Sequence, residues 1–325
     1  MADRRTLTRA LALALTTVPL ALAACDPTLK HVPTETSGHA QAPAPPSSAL
    51  PAPASSPASN ASSNASSSAA SNASSSATTA PSPSSGAPAA SPAPRALSPL
   101  TAAGALIELP IEGHPPAVVS VPLGATTRRP VVLATHGNFD RPEWQCQVWR
   151  DIVGPSVFVL CPRGNARRDS PAPDDIRFTY ANNQALEREI RAGLAALRAL
   201  YPDHVDPGPV VYTGFSLGAI TGVAILGRDP ALFPRAILVE GGSEKWTPGA
   251  ITAYAKAGGQ RLLIACGQPG CVASAKHPAS RLDKAGVPTR VVHGKGVGHG
   301  YTGAVADEIK TAFSWLVEGD PRFAP

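Results

Sequence analysis

The sequence predicts an α/β protein, with one mostly parallel, twisted sheet and helices on both of its faces. Three observations carry that prediction. From about residue 97 to 322, short apolar runs alternate with longer amphipathic segments, the order that builds successive strand–helix–strand units. Some runs, such as Val131-Val132-Leu133-Ala134, are apolar without a break, as strands buried on both faces require. One run, Val210-Val211-Tyr212-Thr213, passes through Gly214-Phe215-Ser216-Leu217-Gly218 into the small-residue segment Ala219-Ile220-Thr221-Gly222-Val223-Ala224. That is a strand, a tight turn and a helix in immediate succession.

Taken in order, the runs 105–111 and 117–123 are broken by Gly113-His114-Pro115-Pro116 and predict an opening hairpin. A buried strand at 130–135 leads into His136-Gly137-Asn138-Phe139; a helix at 141–152 and a strand at 156–161 follow. Arg163, Arg167 and Arg168 are expected in a solvated loop beside Asp169, Asp174 and Asp175, and a loop over 165–180 precedes a helix at 183–200. Leu186, Ile190, Leu194, Leu197 and Tyr201 repeat at helical spacing along it, Asn182 or Asn183 can cap it, and Pro202 ends it. After the strand at Val210 and a helix through Leu226 come strands at 236–239, 262–265 and 289–292. Helices near 250–257, through Asp283 and at 303–316 separate and close them, the last with Val305, Ile309, Phe313 and Leu316 on one face.

The folded part does not fill the chain. Residues 1–24 have a basic start (Arg4, Arg5, Arg9) and an apolar stretch too short for a membrane span, which reads as a signal peptide. Its end, Leu22-Ala23-Ala24-Cys25, resembles the bacterial lipobox, which implies lipid on Cys25. Arg4-Arg5-Thr6-Leu7 also resembles a weak twin-arginine signal, leaving the export route open. Residues 25–94 are almost entirely Ala, Ser, Pro, Asn and Thr and cannot bury enough apolar surface to order themselves, so they predict a disordered tether with a reach of about 45 Å. The domain is expected over 95–325, in the bacterial cell envelope, outside the cytoplasm and held to a membrane by Cys25. Asp26 directly after it resembles an inner-membrane retention signal.

Lipidation of Cys25 leaves four of the five cysteines, and an exported domain with four predicts two disulfides, the local pairing being Cys146 with Cys161 and Cys266 with Cys271. Their spacing is not that of a zinc ribbon, so no metal is expected. The net charge of +5 falls to +3 without residues 1–24, which carry three Arg and one Asp. Nothing in the remaining charge pattern suggests a nucleic-acid partner.

Glycines two before and two after Ser216 make the G-x-S-x-G pattern of a nucleophile elbow, in which a strained turn lifts the serine hydroxyl clear of the sheet. With His136-Gly137 after the third strand and Gly298-His299-Gly300 after the last, the stretch from about 104 to 317 resembles an α/β-hydrolase. Asp206-Pro207 through Gly218 further resembles secreted esterases related to poly(3-hydroxybutyrate) depolymerases and dienelactone hydrolases. The resemblance implies a serine hydrolase without a cofactor, acting on a small-molecule carboxylic ester. Ser216 is then the nucleophile, His299 the base, and the backbone amides of Leu217 and Asn138 the oxyanion hole.

His293, at the last strand's end, is the rival histidine, otherwise a residue with satisfied hydrogen bonds; His136 is expected to shape the oxyanion turn. The orienting acid departs from the common pattern. The seventh strand runs into Cys266-Gly267-Gln268-Pro269-Gly270-Cys271, which holds no acid, whereas the sixth runs directly into Glu240-Gly241-Gly242. Glu240 is the candidate, Glu244 the runner-up, and a Ser–His dyad the alternative to both. Trp144, Trp149, Phe178, Tyr180, Trp246 and Tyr301 are expected near the carboxyl ends of strands, some of them as core. A serine peptidase, an acyltransferase or an inactive binding lipoprotein would use the same fold. The sequence does not define an oligomeric state.

Cys25→Ala is expected to release the protein from the membrane fraction, and the intact mass of the wild type to carry the added lipid. Equal membrane retention of both would exclude a Cys25 anchor.

Overall fold

The structure, a computed structural model, describes residues 97–324. The signal peptide, Cys25 and the tether lie outside the described residues. An eight-stranded sheet is built from β1 (Leu106–Ile111), β2 (His114–Ser120), β3 (Val131–Thr135), β4 (Phe158–Cys161) and four further strands. Between β4 and these lie a two-stranded ribbon, β5 (Asn165–Ala166) with β6 (Phe178–Thr179), and the helix α2 (Asn183–Leu200); α1 (Pro142–Val153) precedes β4. The later strands are β7 (Val211–Phe215), β8 (Arg235–Val239), β9 (Arg261–Cys266) and β10 (Thr289–His293). They alternate with α3 (Leu217–Arg228), α4 (Pro248–Lys256), α5 (Pro269–Lys284) and α6 (Ala304–Val317).

The order across the sheet is β1-β2-β4-β3-β7-β8-β9-β10. Only β2 runs antiparallel to both of its neighbours, β1 and β4; every other pairing is parallel. This is the α/β-hydrolase fold expected from the sequence. The chain moves from β3 outward to β4 and then returns past β3 to β7, so the order reverses between β3 and β7. In open α/β sheets ligands bind at such a reversal, beyond the carboxyl ends of the strands.

Side-chain alternation divides the core in two. Along β8, Ala236 and Leu238 face one layer while Ile237 and Val239 face the other. The first layer holds Leu186, Ile190, Leu194 and Leu197 of α2, with buried residues of α3, α4 and α5. The second holds Trp149 and Ile152 of α1 and Val305, Ile309 and Leu316 of α6. Complete burial of strands on both faces explains their unbroken apolar runs.

Several expectations are corrected. The opening hairpin turns at Glu112-Gly113, and His114-Pro115-Pro116 belong to β2; the two prolines fall at the register irregularity opposite Leu109 to Ile111 and precede the part of β2, Val118–Ser120, that pairs with β4, so proline is tolerated there. The 165–180 loop contains the β5–β6 ribbon, two residues a side, too short to leave a periodic signal. Arg163 is not part of a solvated stretch. Its side chain is 11% exposed, paired with Glu108 and Glu143 and donating to the Pro116 carbonyl. α2 matches its expected span, with the Asn182 side chain accepting from the Ala185 amide.

Both disulfides are formed as paired from the sequence, Cys146–Cys161 and Cys266–Cys271. The first ties α1 to the end of β4. Both ends of the described chain lie at the amino ends of the parallel strands. The Ser98 carbonyl contacts His204 Nε2 at 2.9 Å just before β7, and Arg322 donates to the Pro209 carbonyl at 2.6 Å. Among the described residues no helix is long and apolar enough to cross a membrane.

Candidate active site

Parallel register lines up the strand ends. Thr135 pairs with Gly214, Phe215 with Val239, Val239 with Ala265, and Cys266 with His293. The next residues, His136, Ser216, Glu240 and Gly294, therefore leave the sheet along one edge. Ser216 has φ 49° and ψ −111°, and Glu240 has φ 53°. A left-handed backbone is costly for residues with a Cβ and marks sites where the surroundings hold it in place.

Here the surroundings are close-packed backbone. A side chain on Gly218 would meet Thr135 Oγ1 and the Thr135 and His136 carbonyl oxygens, and one on Gly214 would meet the Gly218 backbone and the Ala219 amide. These contacts are the physical reason for glycine on either side of Ser216. The Tyr212 hydroxyl donates to the Gly218 carbonyl at 2.8 Å and lies 3.0 Å from Thr135 Oγ1.

The elbow presents Ser216 Oγ 2.9 Å from His299 Nε2. On the other side of the ring, His299 Nδ1 lies 3.1 Å from Glu240 Oε2. The Glu240 side chain is 1% exposed, while that of His299 is 48% exposed. The second carboxylate oxygen, Oε1, accepts from the amides of Gly267 at 2.5 Å and Gln268 at 2.9 Å. The structure thus brings together Ser216, His299 and Glu240, three residues far apart in sequence. Glu244 lies exposed on a short 3₁₀ turn.

His293, the rival histidine, closes β10 with its Nε2 buried and without a hydrogen-bond partner among the described residues. That corrects the expectation of a satisfied residue. His136 is fully buried, and its ring nitrogens contact the Gly137 and Arg163 carbonyls, so it holds the turn together. That turn lies against the elbow. A side chain on Gly137 would meet the Phe215 ring and approach the Ser216 Cβ, and the Gly218 amide donates to the His136 carbonyl. The amides of Asn138 and Leu217 flank Ser216 on these two segments and donate to no protein acceptor among the described residues.

Two organising residues carried no signal in the sequence. Asp140 is 6% exposed; its carboxylate accepts from the Gly137 amide, the Arg141 amide, Gln145 Nε2 and the Tyr301 hydroxyl. Glu189 of α2 accepts the Arg163 and Gly164 amides. Neither stands out among its neighbours in sequence, Glu143 lying three residues after Asp140 and Glu187 two before Glu189, and it is the tertiary fold that brings the Tyr301 hydroxyl to the one and the Arg163 and Gly164 amides to the other. Of the aromatic residues, Trp149, Phe178, Tyr180 and Trp246 are buried, Trp144 is exposed, and Tyr301 packs on Phe215 beside His299. A broad concavity lined by Arg129, Arg150, Phe313 and Arg322 does not include Ser216, His299 or Glu240. Glu240, Cys266 and Cys271 cluster closely enough for metal ligands, but the two sulfurs are bonded to each other and offer no thiolate.

No known protein family matches the sequence, and no curated protein does. Among solved structures, the chain is similar to a protein from Thermus thermophilus at 15% identity, over 66% of this chain and 98% of that one, with a TM-score of 0.49. It is also similar to a carboxylesterase from Bacillus cereus at 20% identity, over 62% and 92%, with a TM-score of 0.44. An open-form lipase is similar at 13% identity, over 68% and 100%, with a TM-score of 0.48. At these identities and scores the likenesses assign neither substrate nor residue roles.

Three hydroxyls buttress the site: Tyr212 on the elbow, Tyr180 between the His136 amide and the Pro162 carbonyl, and Tyr301 on Asp140. Burial pushes all three above the ordinary tyrosine range, with Glu189 adding to the effect at Tyr180 and Asp140 at Tyr301. The protonated form is favoured in the folded state. The resulting stabilisation is complete below the ordinary value of about 10 and is lost as pH rises from there toward the folded values. Tyrosinate absorbance of the native protein is therefore expected to lag behind that of free tyrosine and to rise together with the loss of far-UV circular dichroism. Titration of all five tyrosines near pH 10 in an intact fold would contradict it.

Proposed function

We propose that this chain is a serine hydrolase that cleaves a carboxylic ester through an acyl-enzyme. The observation that carries the reading is the hydrogen-bonded series Ser216 Oγ, His299 Nε2, His299 Nδ1, Glu240 Oε2, with separations of 2.9 Å and 3.1 Å. A serine hydroxyl is a weak nucleophile until a base takes its proton. His299 is placed to do so as Ser216 attacks the ester carbonyl and then to hand that proton to the departing alcohol. Water, deprotonated by the same ring, releases the acid.

Glu240 holds the ring in the tautomer with its proton on Nδ1 and stabilises the positive charge that forms on it. The tetrahedral oxyanion is received by the Leu217 and Asn138 amides, each contributing about 3 kcal/mol to the transition state. Burial of Glu240 against two amides supports its assignment over Glu244 and over a dyad. The two disulfides favour an oxidising compartment. They agree with a domain of residues 95–325 carried outside the cytoplasm on a tether from Cys25.

Ser216→Ala is expected to abolish p-nitrophenyl ester hydrolysis and fluorophosphonate labelling while keeping the native circular dichroism. Undiminished turnover would exclude the serine mechanism. Glu240→Gln is expected to lower kcat at least about a hundredfold with KM little changed, since replacing an orienting carboxylate by an amide has cost up to ~10⁴ in a serine protease. Glu244→Gln is expected to stay within about threefold of wild type, and the reverse ranking of the two would move the role to Glu244.

A further inference from the structure

The segment from Cys266 to Cys271 touches Glu240 and both ends of the stretch that leads from β10 to His299. The Gly267 and Gln268 amides hold Glu240 Oε1. The Cys266 carbonyl accepts from the Gly294 amide at 2.9 Å, where the chain leaves β10 toward His299. Gly267 packs so closely on the Gly298 carbonyl, one residue before His299, that no side chain fits between them. Yet Gln268, Pro269 and Gly270 are exposed, and two of the four residues between the cysteines are glycine. Pro269 and Gly270 already belong to the first turn of α5, so the connection that carries both amides is Gly267 and Gln268 alone, held between the end of β9 and that turn. The Cys266–Cys271 bond closes it, anchoring its far end to the first turn of α5 with 5.6 Å between the Cα atoms.

We propose that the Cys266–Cys271 disulfide is the positioning device of the Glu240–His299 pair, and that turnover falls when it is reduced. The proposal rests on the serine-hydrolase reading above. Burial makes the two disulfides unequal. Cys146, Cys161 and Cys266 are completely buried, whereas Cys271 is partly exposed. A dithiol reductant therefore reaches Cys271 Sγ first. Its thiolate forms a mixed disulfide with Cys271, the S–S bond breaks, and Cys266 leaves as a thiolate that takes up a proton. The reductant's second thiol then displaces Cys271, which also becomes a thiol, and the reductant departs as its own disulfide. Two electrons and two protons pass from reductant to protein.

The test is a titration of the full-length protein with dithiothreitol, following p-nitrophenyl ester kinetics, circular dichroism and the sites of alkylated thiols. Cys266 and Cys271 are expected to be alkylated before Cys146 and Cys161. As they are, kcat should fall about tenfold with KM within about twofold, at unchanged circular dichroism, and reoxidation should restore it. Cys266→Ala/Cys271→Ala is expected to reproduce the loss, and in a Glu240→Gln background to add less than about twofold, because both changes act through one carboxylate.

Full kcat with Cys266 and Cys271 reduced, or a loss that multiplies with that of Glu240→Gln, would overturn the proposal. Should the double variant not fold, the titration of the wild type decides. A Glu240→Gln variant with wild-type turnover would instead remove the underlying triad reading, so the two failures are distinct.

Discussion

A carboxylate buried to 1% exposure has to be met by donors, and much of the site follows from how Glu240 meets that demand. Neither oxygen is left to solvent. One faces His299 and the other takes two backbone amides, an arrangement that requires three separate segments to converge on a single side chain. β8 delivers the residue, β9 and the loop after it deliver the amides, and the long connection from β10 delivers the ring. The positive φ of Glu240 is part of the same arrangement, since the chain turns sharply as it leaves β8. A backbone conformation that is unfavourable in isolation persists because these neighbours over-determine it.

The elbow is held by a different kind of force. Around Ser216 the contacts are steric, with Gly214 and Gly218 letting backbone meet backbone, and Tyr212 fixing the Gly218 carbonyl from below. Shape complementarity places the hydroxyl, and charge complementarity places the ring that faces it. The two meet because parallel register aligns the ends of β7, β8 and β9 to the residue.

Much of this was legible in the sequence, for physical reasons. Strands buried on both faces must be apolar throughout, so β3, β7, β8 and β9 stood out, and the 3.6-residue repeat marked α2 and α6. Ser216 carried its own local pattern, and Glu240 was the candidate because the turn after the seventh strand, Cys266 to Cys271, holds no acid while the sixth strand runs directly into Glu240. Features that depend on distant segments left no trace. Asp140 and Glu189 stand near other acids in sequence, and the distant partners that set them apart, the Tyr301 hydroxyl on the one and the Arg163 and Gly164 amides on the other, come only with the fold. The ribbon of β5 and β6 is too short to show a period, and Arg163 looked solvated because its partners, Glu108 and Glu143, lie far away in sequence.

The two ends of the described chain both sit where the parallel strands begin, while Ser216 sits where they finish. The sheet's own length therefore separates the two chain ends from Ser216. A carrier protein, a solid support or a surface joined through either end would crowd the strand-entrance side and leave the exposed face of His299 unobstructed. For immobilisation or display this domain needs no rearrangement, since its directionality already keeps the handle and the Ser216 face apart.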